Sequence, residues 1–142
     1  MKEGCQGAIR FSGYRVIDMD YHCLREYTMP EDGVLQYSFA FQKEIEYPSV
    51  GKMNVLLTAK VFCGQDEQSA TQCLLLSILG EFQSSNDIGP QWEPNALAIL
   101  FPYARSIISS FTAQSGIPAI ILPTVNIAKI FQDSSRNSTP RE

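Results

Sequence analysis

Residues Asn95–Phe131 read NALAILFPYARSIISSFTAQSGIPAIILPTVNIAKIF, and this stretch decides the fold. Leu97, Leu100, Phe101, Ala104, Ile108 and Phe111 recur at three- and four-residue steps, which puts them on one stripe of a helix. Pro102 lies within that stripe. It has no N–H to offer the carbonyl of Ala98, so the helix is expected to kink at Pro102 or to begin there. Gly116 supplies the stop, since glycine takes the left-handed conformation that closes a helix, and Pro118 forbids continuation. Asn126 is the expected N-cap of a short second helix, with Ile127, Ile130 and Phe131 on one side. Between the helices lies an apolar loop, Gly116 to Pro123. Its residues Ile117, Ile120, Ile121 and Leu122 have two open readings: a tether that pins the second helix to the core, or an exposed apolar surface.

Upstream the period changes from helical to alternating. Leu35–Tyr47 sets Leu35, Tyr37, Phe39, Phe41, Ile45 and Tyr47 against polar neighbours, with Lys43 alone breaking the apolar side. Met53–Cys63 alternates in the same way, and Gly64–Gln68 is the expected hairpin turn after it. Ile9–Leu24 reads as a long strand that changes phase. Ile9 and Phe11 share one parity, Tyr14 and Val16 the other, and Ile17, Met19, Tyr21 and Cys23 return to the first. Each change would turn the side chains to the other sheet face unless a bulge intervenes, and Gly13 is a natural bulge site. Ser69–Phe82, with Leu74-Leu75-Leu76 and Ile78-Leu79, fits a buried strand or a helix equally well. Gln83–Glu93 is a polar crossover carrying the single tryptophan, Trp92.

Composition narrows the class. A chain of 142 residues, 44% hydrophobic and 18% charged, is a folded single domain, here residues 1–132, with a Ser/Asn/Arg-rich tail at 133–142 expected to be disordered. A net charge of −4 argues against a general nucleic-acid binder and against an anionic membrane surface. The start of the chain is polar rather than signal-like, and runs such as Ala96–Phe101 are too short to span a bilayer. A cytoplasmic protein is expected.

Catalytic chemistry finds little to use. Cys5, Cys23, Cys63 and Cys73 show no ligand-like spacing, and one histidine, His22, supplies a zinc site poorly. His22 and Cys23 are strand neighbours, so their side chains point to opposite faces and make a poor dyad. Asp18 and Asp20 share one sheet face, as do Glu44 and Glu46, and ordinary solvated positions account for all four. No phosphate loop is present. No enzyme, metal or cofactor is expected.

The run LFPYAR at Leu100–Arg105, the apolar helix, GIP at Gly116–Pro118, LPTVN at Leu122–Asn126 and the closing Ile130-Phe131 resemble the C-terminal half of the SecB export-chaperone family. The first ninety or so residues resemble it in pattern rather than in words. The resemblance decides Ser69–Phe82 as a fourth strand. The fold it implies is α+β, a four-stranded antiparallel sheet followed by two helices packed on one face. It also implies a homo-oligomer, dimer or tetramer, in keeping with a fourth strand too apolar on both faces for a monomer.

The function implied is a holdase that binds unfolded or nascent polypeptides, including for protein export. The candidate client-binding residues are Tyr37, Phe39, Phe41, Trp92, Ile117, Ile120, Ile121 and Leu122. They would offer apolar contacts and a strand edge to an extended chain without demanding one sequence. The family hands clients to a SecA-type motor through an acidic sheet face. Asp20 matches that face, with Asp18 beside it, whereas Leu24 and either Leu74 or Leu75 stand where the family has acids. Two alternatives remain: a dedicated chaperone for an antitoxin-like client, and a structural or small-ligand-binding protein on the same fold.

Overall fold

The computed structural model describes residues 9–28, 31, 36–64, 67–123 and 130–131. The alternating segments form β1 (Arg10–Cys23), β2 (Tyr37–Glu46), β3 (Lys52–Cys63) and β4 (Gln72–Gln83). A 3-10 turn at Pro90–Trp92 leads into α1 (Glu93–Ala113). The sheet order is β1-β4-β3-β2, and every neighbouring pair is antiparallel. β2, β3 and β4 form a meander, while β1 pairs with the far side of β4. The two edges are therefore β1 and β2.

Side-chain alternation sorts the sheet into two faces. Met53, Val55, Leu57, Ala59 and Val61 of β3 lie beside Phe82, Gly80, Ile78, Leu76 and Leu74 of β4. This inner face is almost wholly shut off from solvent. The leucine run of β4 is two-faced: Leu74 and Leu76 point inward, while Leu75 and Leu79 are half-buried on the outer face. A helix would have put them on overlapping sides, so the strand resolves what periodicity left open.

α1 covers the inner face with Ala96, Leu97, Leu100, Phe101, Ala104 and Ile108. By length and composition alone this helix could cross a bilayer, but these residues pack on the sheet as core. Gly80 permits the close approach: a Cβ there would lie 2.9 Å from Leu100 Cδ1. The helix begins at Glu93, well before Pro102, and carries Pro102 within it. Pro102 and Ala98 both face solvent, so the carbonyl that loses its N–H partner is available to water. Pro94 falls in the first turn, where a missing N–H is harmless.

The phase changes of β1 are two register shifts, between Phe11 and Gly13 and between Val16 and Asp18. Gly13 takes φ 133° at the first, a conformation closed to other residues. The shifts keep Phe11, Tyr14, Met19 and Tyr21 toward the core despite their mixed parity.

The expectation of two helices needs correction. Among the described residues one long helix follows the sheet; Ile130 and Phe131 are helical, while the expected N-cap Asn126 and Ile127 lie outside the described residues. So do Leu35, Cys5 and the 133–142 tail. After α1 comes an irregular segment whose backbone is bonded to side chains of the helix. Thr112 Oγ1 donates to the carbonyl of Ile108 at 2.7 Å and accepts the N–H of Ile120 at 2.8 Å. Ser109 Oγ donates to the carbonyl of Ile120, 3.2 Å, and Arg105 Nε to that of Leu122, 2.7 Å. Positions 105, 109 and 112 form one helical stripe. The segment therefore runs back along α1, antiparallel to it.

Two substitutions test this packing. Thr112→Val keeps the shape but strips the buried N–H of Ile120 of its partner, and should lower stability by about 1–3 kcal/mol in urea unfolding. It should also speed amide exchange at Ile120. Gly80→Val forces Leu100 aside in a filled core, and should cost about 1–3 kcal/mol in the same assay.

Candidate functional site

α1 packs against β3, β4 and β1. The inner face of β2 meets α1 only through side chains, at Phe101 and Glu93 among the described residues. Tyr37, Phe39, Phe41, Lys43 and Ile45 project there and are half-buried. Phe41 meets Phe101 edge-on, with ring centroids 5.6 Å apart. Lys43, the one charge in this row, reaches Glu93 Oε1 at 3.5 Å and lies over the Phe131 ring, 5.4 Å from its centroid. Both partners favour a cation in a partly dry site. Tyr47 donates to the other oxygen of Glu93 at 2.7 Å, and its pKa is pushed up to about 12, first by burial and then by that carboxylate.

Phe131 is 7% exposed and belongs to the core. Ile120 and Leu122 belong to the same core.

The three loop isoleucines and the leucine part company. Ile120 is 2% exposed and Leu122 is fully buried, whereas Ile121 is 63% exposed. Ile117 is half-buried. An extended segment sends successive side chains to opposite sides. Ile120 and Leu122 are buried in the core, as a tether requires, and present little surface of their own. Trp92 is half-buried at the N-cap of α1. Ile117 lies past the opposite end of that 21-residue helix, about 30 Å away along its axis. The expected set is thus divided between two ends of the molecule.

Arg105 binds the Leu122 carbonyl, and Tyr103 stacks with Phe11 and Tyr14 at 5.4 and 4.7 Å between centroids.

Asp18 and Asp20 both project from the outer face, opposite Ser77 and Leu75. Asp20 Oδ1 lies 3.1 Å from His22 Nε2, in full reach of solvent. Leu74 is buried on the inner face, so the outward-facing fourth-strand position is Leu75. Lys60 flanks Leu75 from β3 and pairs with Glu67 at 2.9 Å. The outer face is therefore mixed in charge near Asp20. Farther along it, Ile17, Glu44, Glu46, Asn54, Leu56 and Leu79 line a shallow depression of about 220 Å³.

Sequence reading gave no surface role to Val16 (48% exposed) or Ile17 (52%), and took Leu24 (52%) only as a replaced acid; all three are apolar residues along or just after edge strand β1. The signal was present: Val16 and Ile17 straddle the second phase change, where a bulge leaves adjacent apolar side chains turned out. Cys23, Cys63 and Cys73 form no disulfide, and His22 and Cys23 project to opposite faces. Among the described residues no group of three or more His, Cys, Asp or Glu is placed to hold a metal ion.

Comparison with known proteins bears on this arrangement. The family described as "Preprotein translocase subunit SecB" matches residues 52–138. An uncharacterised protein of Methanocaldococcus jannaschii, MJ0357, is 31% identical over 128 residues, spanning 85% of this chain and 81% of that protein. The Mycobacterium tuberculosis SecB-like chaperone Rv1957 was solved in complex with a ChAD peptide from the HigA1 antitoxin Rv1956. It superposes with a TM-score of 0.67 at 13% identity, over 82% of this chain and 90% of that one. The sheet order, the helix over its inner face and these matches agree: the chain belongs to the SecB family.

Proposed function

We propose that this SecB-family chain is a holdase, a chaperone that binds unfolded or nascent polypeptides without nucleotide, metal or catalysis. The observation that carries the reading is the partly open apolar side of the fold. Tyr37, Phe39 and Phe41 of edge strand β2 remain half-buried, and Ile121 stands out beside α1. Each client side chain buried there contributes about 1.5–3 kcal/mol before ordering costs, so several weak contacts add up to firm and unselective binding. The edge of β2, unpaired among the described strands, adds main-chain bonding to an extended client. The peptide bound to the related M. tuberculosis chaperone supports a polypeptide client.

We assign the work to the cytoplasm, with export as its setting. The antitoxin peptide held by that relative also supports a second reading, a chaperone dedicated to one antitoxin-like client. A SecA-type motor is the less favoured partner, because Asp18 and Asp20 share their face with Lys60 and Leu75. Edge strand β1, with Val16, Ile17 and Leu24 exposed, supports a homo-oligomer, dimer or tetramer, formed through that edge.

Titration against a fluorescently labelled, permanently unfolded protein should give submicromolar binding, with none to the folded form. Ile121→Asp should weaken that binding about tenfold at unchanged stability, whereas Ile120→Asp should unfold the chain. Failure to bind at tens of micromolar would sink the general-holdase reading. Light scattering after gel filtration should give a dimer or tetramer mass, and Ile17→Glu should lower it; a wild-type monomer would remove the edge proposal.

A further inference from the structure

On the inner face of the sheet one register row crosses all four strands: Tyr37, Cys63, Gln72 and Cys23. Tyr21 stands one inward position away on β1, edge-on to Phe111 near the C-terminal end of α1 at 5.1 Å. The row is out of keeping with its surroundings. The next inward positions along β4 are Leu74, Leu76 and Ile78, yet Gln72 is 2% exposed.

Four polar atoms here are buried: Oε1 and Nε2 of Gln72 and the hydroxyls of Tyr21 and Tyr37. None of them makes a hydrogen bond of good geometry among the described residues, although the Tyr37 hydroxyl lies near Gln72 and the Tyr21 hydroxyl near Ser115 and Cys23. Native cores satisfy such groups, so four together call for a ligand that supplies both donors and acceptors.

The groups define that ligand. All are uncharged: burial, then Cys63 and Tyr27, pushes the Tyr37 hydroxyl up to about 12, with Gln72 opposing, and burial likewise raises Tyr21. A neutral mixture of donors and acceptors suits a peptide group. In an extended chain the N–H and C=O of one residue point to the same side, and a carboxamide can pair with both. The row is shut at Gln72 but comes toward the surface at Tyr37, on edge strand β2, and at Cys23, which is exposed.

We propose that Gln72, with Tyr21 and Tyr37, is a main-chain anchor for an extended polypeptide. The carboxamide pairs with the N–H and C=O of one client residue, and the tyrosyl hydroxyls take the peptide groups beside it. The client enters from the β2 side, and engagement follows a local opening at this end of the core. Main-chain contacts read no side chain, so the anchor adds affinity without narrowing the range of clients. This inference rests on the holdase reading and supplies its polar half.

The test pairs Gln72→Leu with Tyr37→Phe. Each is titrated by anisotropy against the labelled unfolded protein, and against a short client peptide with ester groups placed one at a time for amides. Denaturant unfolding runs in parallel. Each substitution should weaken binding at least fivefold while the unfolding midpoint holds or rises. An ester at one position should weaken binding to the wild type and leave Gln72→Leu unaffected. Wild-type binding retained within twofold by both variants overturns the anchor and leaves Gln72 a core residue bridged by internal water. A wild type that binds no unfolded protein overturns the holdase reading and the anchor together. Should Gln72→Leu fail to fold, Tyr37→Phe, which removes one oxygen and keeps the ring, decides the matter.

Discussion

The structure depends on burying the inner faces of its two central strands. β3 and β4 turn Met53, Val55, Leu57, Leu74, Leu76, Ile78 and Phe82 to the same side. No part of the sheet can cover that surface, so α1 must. Its apolar stripe presses close enough that position 80 has no room for a side chain. With α1 packed mainly on β3, β4 and β1, the inner face of β2 is covered only in part, by Phe101 and Glu93 of that helix. Phe131 adds to that cover at Lys43, and the stripe Arg105, Ser109 and Thr112 holds the backbone that carries the buried Ile120 and Leu122. The coverage is incomplete, and the candidate site lies where it stops.

That division gives the two sides of the sheet separate characters. The inner side grades from a dry core under α1 to half-buried aromatic rings at β2, with one uncharged polar row near the end of the helix. The outer side is a mosaic in which Leu56, Leu75 and Leu79 have charged cross-strand neighbours, Glu44, Asp20, Lys60 and Arg15. Several of those charges are already answered within the chain, Arg15 by Glu81 and Lys60 by Glu67.

Much of the fold was legible because β-strands and helices write their periods directly into apolar spacing. The alternation of Leu35–Tyr47 and Met53–Cys63 named two strands outright. The broken parity of Ile9–Leu24 foretold bulges, because only an extra residue reconciles the two phases on one face. The leucine run at 74–79 was not legible by period, since a strand buried on both faces loses its alternation. The candidate site was read less well. Eight residues of the right chemistry were named, but burial separates Ile121 from Ile120 and Leu122, and the length of α1 separates Trp92 from Ile117. Gln72 drew no notice, since a single glutamine in a strand is unremarkable until its neighbours enclose it.

The sequence by itself determined the first three strands, the bulges in the first of them and the stripe of the long helix, and the LFPYAR, GIP and LPTVN runs pointed to the family. These are local properties, settled by spacing and by the backbone limits of glycine and proline. Only the tertiary structure decided which strands are edges, which loop residues are spent as core, and that Tyr37, Gln72 and Tyr21 come together. Those outcomes depend on pairings between residues tens of positions apart, where strand order and the placement of one helix determine what each side chain meets.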